Sequence, residues 1–282
     1  MRRLVFTVAT GNSRYAEMAL GLGRSLATIG DTTPRAILTD CDGDWDRYFD
    51  RVIRPSGPRS ALDHLSALEL TDCDQVIAID SDSLVFRPLD DIFDRLAGKP
   101  FVVQGDDHSE GIWHEASVTE VCRRFNRTSI PRFNGGFLYY ERHPDTFHLF
   151  DEMRCVEAGY GHSGFGLFRG HASEEVCILL GMLRTGLGEV VPDTEDFMST
   201  GVGLIGALRM DIRRAECQFL CRRGRVRHIR PYIFHASRYS NFIVYWRQIF
   251  RLRRMWADSS SPVRSAMPEP VPGSLRHRVR LF

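Results

Sequence analysis

The chain has 282 residues, of which 43% are hydrophobic and 26% are charged, and its formal net charge is +1. This composition excludes a disordered chain, allows one large α/β domain or two smaller ones, and gives no electrostatic basis for a nucleic-acid partner. The seven cysteines form no CxxC pair and no apolar run reaches the length of a membrane span, which predicts a cytoplasmic protein with reduced thiols.

The first part of the chain alternates between predicted strands and predicted helices. Strands are predicted where short apolar runs are bounded by turn residues, and helices where apolar residues recur at helical spacing. In chain order these elements are a strand over 4–9, a helix over 15–29, strands over 34–40 and 52–53, a helix over 61–70 and a strand over 76–79. This order predicts a single Rossmann-like α/β domain with a mainly parallel central sheet and helices on both faces.

The rest of the chain carries fewer clear elements. They are a strand over 101–103, a loop that enters a strand over 133–140, a helix over 173–183, an extended segment over 230–235 and a helix over 242–256. Ser173 suits the cap of its helix. After Asp258 the chain is rich in Ser, Pro and Arg, which predicts disorder.

Two aspartates follow the most apolar predicted strand. Residues 76–79 run directly into Asp80-Ser81-Asp82, and residues i and i+2 of a strand point to the same face, so both carboxylates are expected to converge. Two close carboxylates repel each other by about 1–4 kcal/mol, and a divalent cation would turn this repulsion into attraction. Because ligands bind parallel sheets at the carboxyl ends of the strands, the motif indicates a metal that holds a diphosphate, and therefore nucleotide chemistry.

Taken together, these segments resemble the GT-A glycosyltransferases, most closely their family 8 group. The resemblance is strongest over 70–85, where an apolar strand runs into the DxD motif of Asp80 and Asp82, and over 88–93, which resembles the helix start that follows in the family. It extends more loosely over 4–246. The resemblance implies a metal-dependent enzyme that moves a hexose from a UDP-sugar to an acceptor with retention of anomeric configuration.

The same resemblance implies a set of functional residues. His235 stands where the family has a late histidine, so Asp80, Asp82 and His235 are expected to bind Mn²⁺ or Mg²⁺, with the imidazole favouring Mn²⁺. Tyr15 is expected to stack on a uracil, and a tyrosine that only packs on the sheet is an equal alternative. Contacts to the nucleotide or the sugar are expected from Ala9, Thr10, Asn12, Tyr15, Asp63, Ser81, Asn134, Gly135 and Arg238.

Some of these positions have a second interpretation from local sequence alone. Asp63 also suits a helix start, and Asn134 with Gly135 suits a tight turn as well as a loop that approaches a sugar closely. The acids expected to bind sugar hydroxyls or to stabilise the transition state are Asp107, Glu174 and Glu175. No strong nucleophile is evident, so front-face displacement guided by the leaving diphosphate is expected.

The chain departs from the family pattern at three places. Glu174-Glu175 stands where the family has Asp-Gln. The basic residue ahead of the DxD strand is missing, with His64 or Arg59 nearby, and the late Lys is replaced, which leaves Arg238 as the candidate that binds the diphosphate. Two alternatives therefore stay open. One is a sugar-nucleotide nucleotidylyltransferase, against which the single glycine of the first loop argues, and the other is a non-catalytic nucleotide-sugar-binding module.

The C-terminal region is predicted to be distinct from the catalytic domain. We predict a GT-A catalytic domain over residues 1–245 and a basic, aromatic helix with a flexible tail over residues 246–282. Aromatic and arginine side chains over 242–256 suit a helix on an anionic membrane surface, and equally a final helix packed on the domain. The expected partners are a nucleotide-sugar donor, a glycan or glycolipid acceptor and the inner face of the plasma membrane, as in polysaccharide biosynthesis.

Overall fold

The computed structural model describes residues 1–223, 225–236 and 242–257. The helices of this part of the chain are α1 (Ser13–Thr28), α2 (Ala67–Leu70), α3 (Asp90–Leu96), α4 (Val118–Arg124), α5 (Pro144–Ala158), α6 (Glu174–Thr185) and α7 (Phe242–Ala257). The strands are β1 (Arg3–Val8), β2 (Arg35–Leu38), β3 (Arg51–Ile53), β4 (Gln75–Ile79), β5 (Ser83–Val85), β6 (Phe101–His108), β7 (Ile112–Trp113), β8 (Ala116–Ser117), β9 (Ile130–Glu141), β10 (Glu189–Val191), β11 (Met198–Ser199), β12 (Leu204–Asp211), β13 (Glu216–Arg223), β14 (Arg225–Ile229) and β15 (Ile233–His235).

The central sheet has seven strands in the order β10-β6-β9-β4-β1-β2-β3. Strands β3, β2, β1 and β4 pair in parallel, as do β10 and β6, whereas β9 runs antiparallel to both β4 and β6. The prediction of a mainly parallel sheet is confirmed. Because β9 runs in the opposite direction, its first residues lie at the edge of the sheet where β4 and β6 end.

Side chains of the central strands fill cores on both faces of the sheet. On β4, Val76 and Ala78 pack with apolar residues of α5 and α6, whereas Ile77 and Ile79 pack with residues of α1 and α3. This alternation is the two-residue period of a strand, and burial on both faces explains why the sequence of β4 is continuously apolar. Each large side chain of this kind contributes about 1.5–3 kcal/mol of burial free energy. Helices therefore cover both faces, as predicted.

A smaller sheet of three strands, in the order β11-β15-β5, continues from the end of β4. The chain turns at 80–82 and enters β5, with the N–H of Ser83 donating to the carbonyl of Asp80 (3.1 Å). Strand β15 pairs antiparallel with β5 and places His235 opposite Ser83. This pairing carries a histidine from a distant part of the chain to the turn that follows β4.

Two predicted elements differ from the structure for local reasons. The helix expected over 61–70 is a 3₁₀ turn at Asp63–Leu65 followed by α2, because the Tyr140 hydroxyl donates to the His64 carbonyl (2.5 Å), an acceptor that a continuous α-helix would use internally. The loop expected at 133–136 belongs to β9, since the N–H of Asp80 donates to the carbonyl of Gly136 (3.2 Å) and extends the pairing with β4.

Other elements have no counterpart among the sequence predictions. They include α4, α5, several short strands and an antiparallel sheet in the order β12-β13-β14. Ser173 precedes α6 as predicted, but its hydroxyl makes no capping hydrogen bond to the described residues. No helix in the described part of the chain is long and apolar enough to cross a membrane.

Helix α7 packs against α1, one of the helices that cover the central sheet. Its buried face carries Tyr245, Ile249 and Leu252, which recur at the three- and four-residue spacing of one helix face. Ile249 lies against Gly21 of α1, where the absence of a side chain lets the two helices approach closely. The boundary predicted after residue 245 therefore falls within α7.

The end of α7 is also tied to α1. Trp256 donates its indole N–H to the hydroxyl of Thr28 (3.0 Å), in the last turn of α1. The part of the tail predicted to be disordered, after Asp258, lies outside the described residues, and so does the candidate Arg238.

Candidate active site

Three potential metal ligands meet where β4 ends. The ligand atoms of Asp80, Asp82 and His235 all lie within 4.8 Å of one another. The His235 Nε2 atom is 3.3 Å from Asp80 Oδ2 and 2.9 Å from Asp82 Oδ1. The two aspartates converge because the chain turns at 80–82 and the N–H of Ala236 donates to the Asp82 carbonyl (2.9 Å), rather than by alternation along one strand.

The orientation of His235 is fixed from β9. The Nδ1 atom of His235 lies 2.9 Å from Asn134 Oδ1, which also accepts the N–H of Gly136 (3.0 Å). An amide oxygen is an acceptor, so Nδ1 carries the proton and Nε2 faces the aspartates. Gly136 leaves room for the imidazole, since a Cβ there would lie 2.6 Å from Nδ1. Asn134, expected to contact the sugar, is thus placed to hold the third ligand.

A second imidazole joins Asp80 to the start of α6. The His64 Nδ1 atom lies 3.2 Å from Glu174 Oε1, and its Nε2 atom lies 3.5 Å from Asp80 Oδ1 without a hydrogen bond to any described residue. Burial alone would lower the pKa of His64, but Glu174 and Asp80 raise it to about 9. Burial raises the pKa of Glu174 despite the opposing effect of His64. Glu174 and Asp80 therefore favour the protonated form of His64, which lies between them.

Glu175, the residue after Glu174, contacts different groups. Glu175 accepts the N–H of Gly135 at Oε1 (3.1 Å), and its Oε2 lies 2.7 Å from His114 Nε2. His114 occupies the turn between β7 and β8 with a φ of 46°, and Glu115 follows with a φ of 66°. His114 is not among the predicted site residues, because it lies in a two-residue turn between very short strands and no periodic pattern marks it.

The loop after β1 is tied down by contacts within the protein. Asn12 accepts the N–H of Arg14 (2.8 Å) and caps α1. Gly11 has a φ of 77° and donates its N–H to Asp40 Oδ1 (2.7 Å), and Asp40 also binds Arg59 (3.0 Å). The loop at the end of β1 and the acid at the end of β2 therefore meet at one edge, as a parallel sheet predicts.

The remaining candidates differ in how accessible they are. Ala9 is buried and its carbonyl accepts the Thr39 hydroxyl (2.6 Å), whereas Thr10 is half-buried. Tyr15 is half-buried, and its hydroxyl accepts from Arg169 (3.2 Å). Ser81 is buried within the turn that carries the aspartates.

Two candidate acids stand apart from the cluster at Asp80. Asp107 is exposed near the end of β6, opposite Pro131, and no hydrogen bond or ion pair joins its side chain to another described residue. Asp63 is half-buried at the first position of the 3₁₀ turn, and burial raises its pKa. Hydrogen bonds within the described chain thus join Glu174 and Glu175 to the residues around Asp80, whereas Asp63 acts on the neighbouring His64 through its charge.

Known structures share this arrangement of strands. The galactosyltransferase LgtC in complex with donor and acceptor sugar analogs matches with a TM-score of 0.55 at 15% identity, covering 92% of this chain and 96% of LgtC. The glycosyltransferase GlyE of Streptococcus pneumoniae TIGR4 matches with a TM-score of 0.53 at 14% identity, covering 91% of this chain and 63% of GlyE. The chain has the GT-A glycosyltransferase fold. This GT-A chain spans less than two thirds of GlyE, and no protein-family model and no curated protein sequence matches it.

Proposed function

We propose that the protein is a metal-dependent glycosyltransferase that transfers a hexose from a UDP-sugar with retention of configuration. The observation that carries this proposal is the meeting of Asp80, Asp82 and His235 at the carboxyl edge of a GT-A sheet. Ligands of open α/β sheets bind at this edge. The donor and acceptor sugar analogs bound by LgtC, which has the same fold, support a nucleotide-sugar donor and a glycan or glycolipid acceptor.

The three residues fit a divalent cation. Two carboxylates and one imidazole form a mixed oxygen and nitrogen donor set, which suits Mn²⁺ better than Mg²⁺. The hydrogen bond from His235 Nδ1 to Asn134 leaves Nε2 facing both aspartates, which is the nitrogen that would bind a metal. When bound, the cation would supply charge neutralisation for the leaving diphosphate.

Glu174 and Glu175 are the acids best placed to act on the sugar. Both stand at the first turn of α6, and they are linked to the metal-ligating turn through His64 and to β9 through Gly135. A carboxylate fixed in this way can accept hydrogen bonds from sugar hydroxyls or stabilise positive charge at the anomeric carbon. Asp107 stays a candidate for a contact at the exposed edge, and Arg238 for the diphosphate.

Two parts of the surface are proposed as binding regions, one for the acceptor and one for a membrane. An open surface pocket of about 510 Å³ lies beside the His114 turn, with Glu115, Arg124 and Phe165 among its lining residues, and we propose it as a place for the acceptor. The outer face of α7 exposes Ile243 and Phe250 (72% and 57%) beside arginines, so we propose that it contacts an anionic membrane surface.

The decisive experiment measures hydrolysis of a panel of UDP- and GDP-sugars with Mn²⁺ and without acceptor. We expect metal-dependent release of UDP from one donor, and loss of this activity in Asp82→Asn with the fold retained. Release of pyrophosphate from a nucleotide and a sugar phosphate would instead identify a nucleotidylyltransferase. Binding of a nucleotide-sugar without any turnover, in the presence of glycan acceptors, would identify a non-catalytic module.

A further inference from the structure

One surface segment connects the two sides of the candidate active site. We call residues 163–172 the crossing segment. Its Gly166 N–H donates to the carbonyl of His114 (2.8 Å), in the turn between β7 and β8, and Arg169 donates to the hydroxyl of Tyr15 (3.2 Å), in the first turn of α1. Both contacts join residues that lie far apart in sequence.

The order of strands relates the crossing segment to the end of β4. The His114 turn packs on β9 through the rings of Trp113 and Phe133 (5.7 Å), and β4 lies between β9 and β1. The crossing segment therefore joins the β7–β8 turn, which packs on β9, to the first turn of α1, which follows β1. Strand β4, which ends at Asp80, lies between β9 and β1 in the sheet.

The backbone of Arg169 has the left-handed conformation of a tight turn, which an arginine rarely adopts. Phe168 and His171 exchange two backbone hydrogen bonds (2.8 and 3.0 Å) around Arg169 and Gly170, whose φ angles are 53° and 86°. Asparagine followed by glycine is the preferred pair in such a two-residue turn. An arginine in the left-handed region is uncommon, and strained positions of this kind cluster at functional sites.

The guanidinium of Arg169 also has unused hydrogen-bonding capacity. It carries five N–H donors, and no carboxylate of the described residues forms an ion pair with it. Arg59, another guanidinium at this edge, is already paired with Asp40 (3.0 Å). Arg169 is exposed and its guanidinium lies over the ring of Phe168 (4.9 Å), so the N–H donors at its edge stay available to an anionic partner.

We propose that Arg169 binds the diphosphate of the nucleotide donor from the crossing segment, beside Tyr15. The inference rests on the proposed function, because it takes the ligand of this edge to be a nucleoside diphosphate. A bidentate contact between a guanidinium and phosphate oxygens supplies both affinity and orientation. Arg169 would thus hold the leaving group in addition to the cation at the turn that carries Asp80.

The test compares the affinities of UDP and uridine in the presence of Mn²⁺. The variant Arg169→Asn removes the cation but keeps the turn, since Asn-Gly is favoured there. We expect UDP to bind this variant about 10- to 100-fold more weakly, with uridine unaffected, and Arg169→Lys to recover part of the loss. Calorimetry measures UDP, and ligand-observed NMR measures uridine.

The control Arg184→Ala removes the same charge near the end of α6 remote from Glu174, about 15 Å along the helix. We expect it to bind UDP as the wild type does. Equal UDP affinity in Arg169→Asn and the wild type, or equal losses for UDP and uridine, would overturn the role of Arg169 and leave the proposed function intact. A wild-type protein that binds no nucleoside diphosphate with Mn²⁺ would refute both.

Discussion

The chemistry of the proposed metal site depends on a residue that does not belong to the ligand set. Asn134 accepts from His235 Nδ1 and from the Gly136 N–H, so one side-chain oxygen fixes both the ring and the backbone of β9 beside it. Partners of this kind typically change metal affinity by 10- to 100-fold when they are removed. The metal affinity of the proposed site is therefore expected to depend on β9 as well as on the DxD turn.

We predict that Asn134→Ala weakens Mn²⁺ binding by about 10- to 100-fold, because His235 loses the acceptor that orients its ring. Isothermal titration with Mn²⁺ measures the change. Asn134→Asp is the matched variant, since its carboxylate still accepts from Nδ1, and it should retain most of the affinity. Similar affinities for wild type and Asn134→Ala would remove Asn134 from this role.

A substitution at Gly136 tests whether the position of the His235 imidazole depends on the space beside it. A Cβ at this position would lie 2.6 Å from His235 Nδ1 and 2.8 Å from Asn134 Oδ1, so Gly136→Ala must displace the imidazole. We predict loss of Mn²⁺ binding and a fall of about 1–3 kcal/mol in the free energy of unfolding, measured by urea denaturation. Gly161→Ala is the control, because no atom lies within 4 Å of the added Cβ. Equal behaviour of the two variants would contradict the steric argument.

At the scale of elements, α7 is part of the folded domain as well as a candidate membrane contact. Its buried residues pack on α1, while its opposite face exposes Ile243 and Phe250 with several arginines. The two alternatives for this region, a packed helix and a surface helix, therefore concern different faces of one element. The packed face is described by the structure, and the membrane contact of the exposed face stays a proposal.

We predict that Ile249→Ala lowers the free energy of unfolding by about 2–4 kcal/mol, because it removes a buried side chain from the contact between α7 and Gly21. Urea denaturation followed by circular dichroism measures the change. Ile243→Ala makes the same chemical change on the exposed face and should alter stability by less than about 0.5 kcal/mol. Equal effects would show that α7 does not pack on α1 in solution.

For the whole molecule, cation binding should couple to global stability, since the ligands come from the β4–β5 turn and from β15, which is distant in the chain. We predict that Mn²⁺ at about 100 times its Kd stabilises the fold by about 2.7 kcal/mol, which raises the Tm by about 5–10 °C. Thermal unfolding with Mn²⁺ or EDTA measures the shift. Asp82→Asn should abolish it, and Asp151→Asn, an exposed change on α5, should not. A shift that persists in Asp82→Asn would place the cation elsewhere.

Elements with a local sequence pattern could be predicted, whereas contacts between residues far apart in the chain could not. The strand before Asp80 is evident because full burial on both faces gives a continuous apolar run. His235 could be connected to the aspartates only through the family resemblance, since it lies far away in the chain and reaches them by the pairing of β15 with β5. His114 and the contact of His64 with Glu174 have no local signal, because each arises when separate elements meet at the edge of the sheet.

The antiparallel direction of β9 has a consequence for how this molecule could diversify. Because β6 and β9 are neighbours that run in opposite directions, the stretch with β7, β8 and α4 leaves and re-enters the sheet at the same rim. A segment that leaves and re-enters the sheet in this way can be lengthened or shortened without shifting the register of β4, the strand that precedes the aspartates. Only changes that keep the contact of His114 with Glu175 would leave the acids at the start of α6 in place.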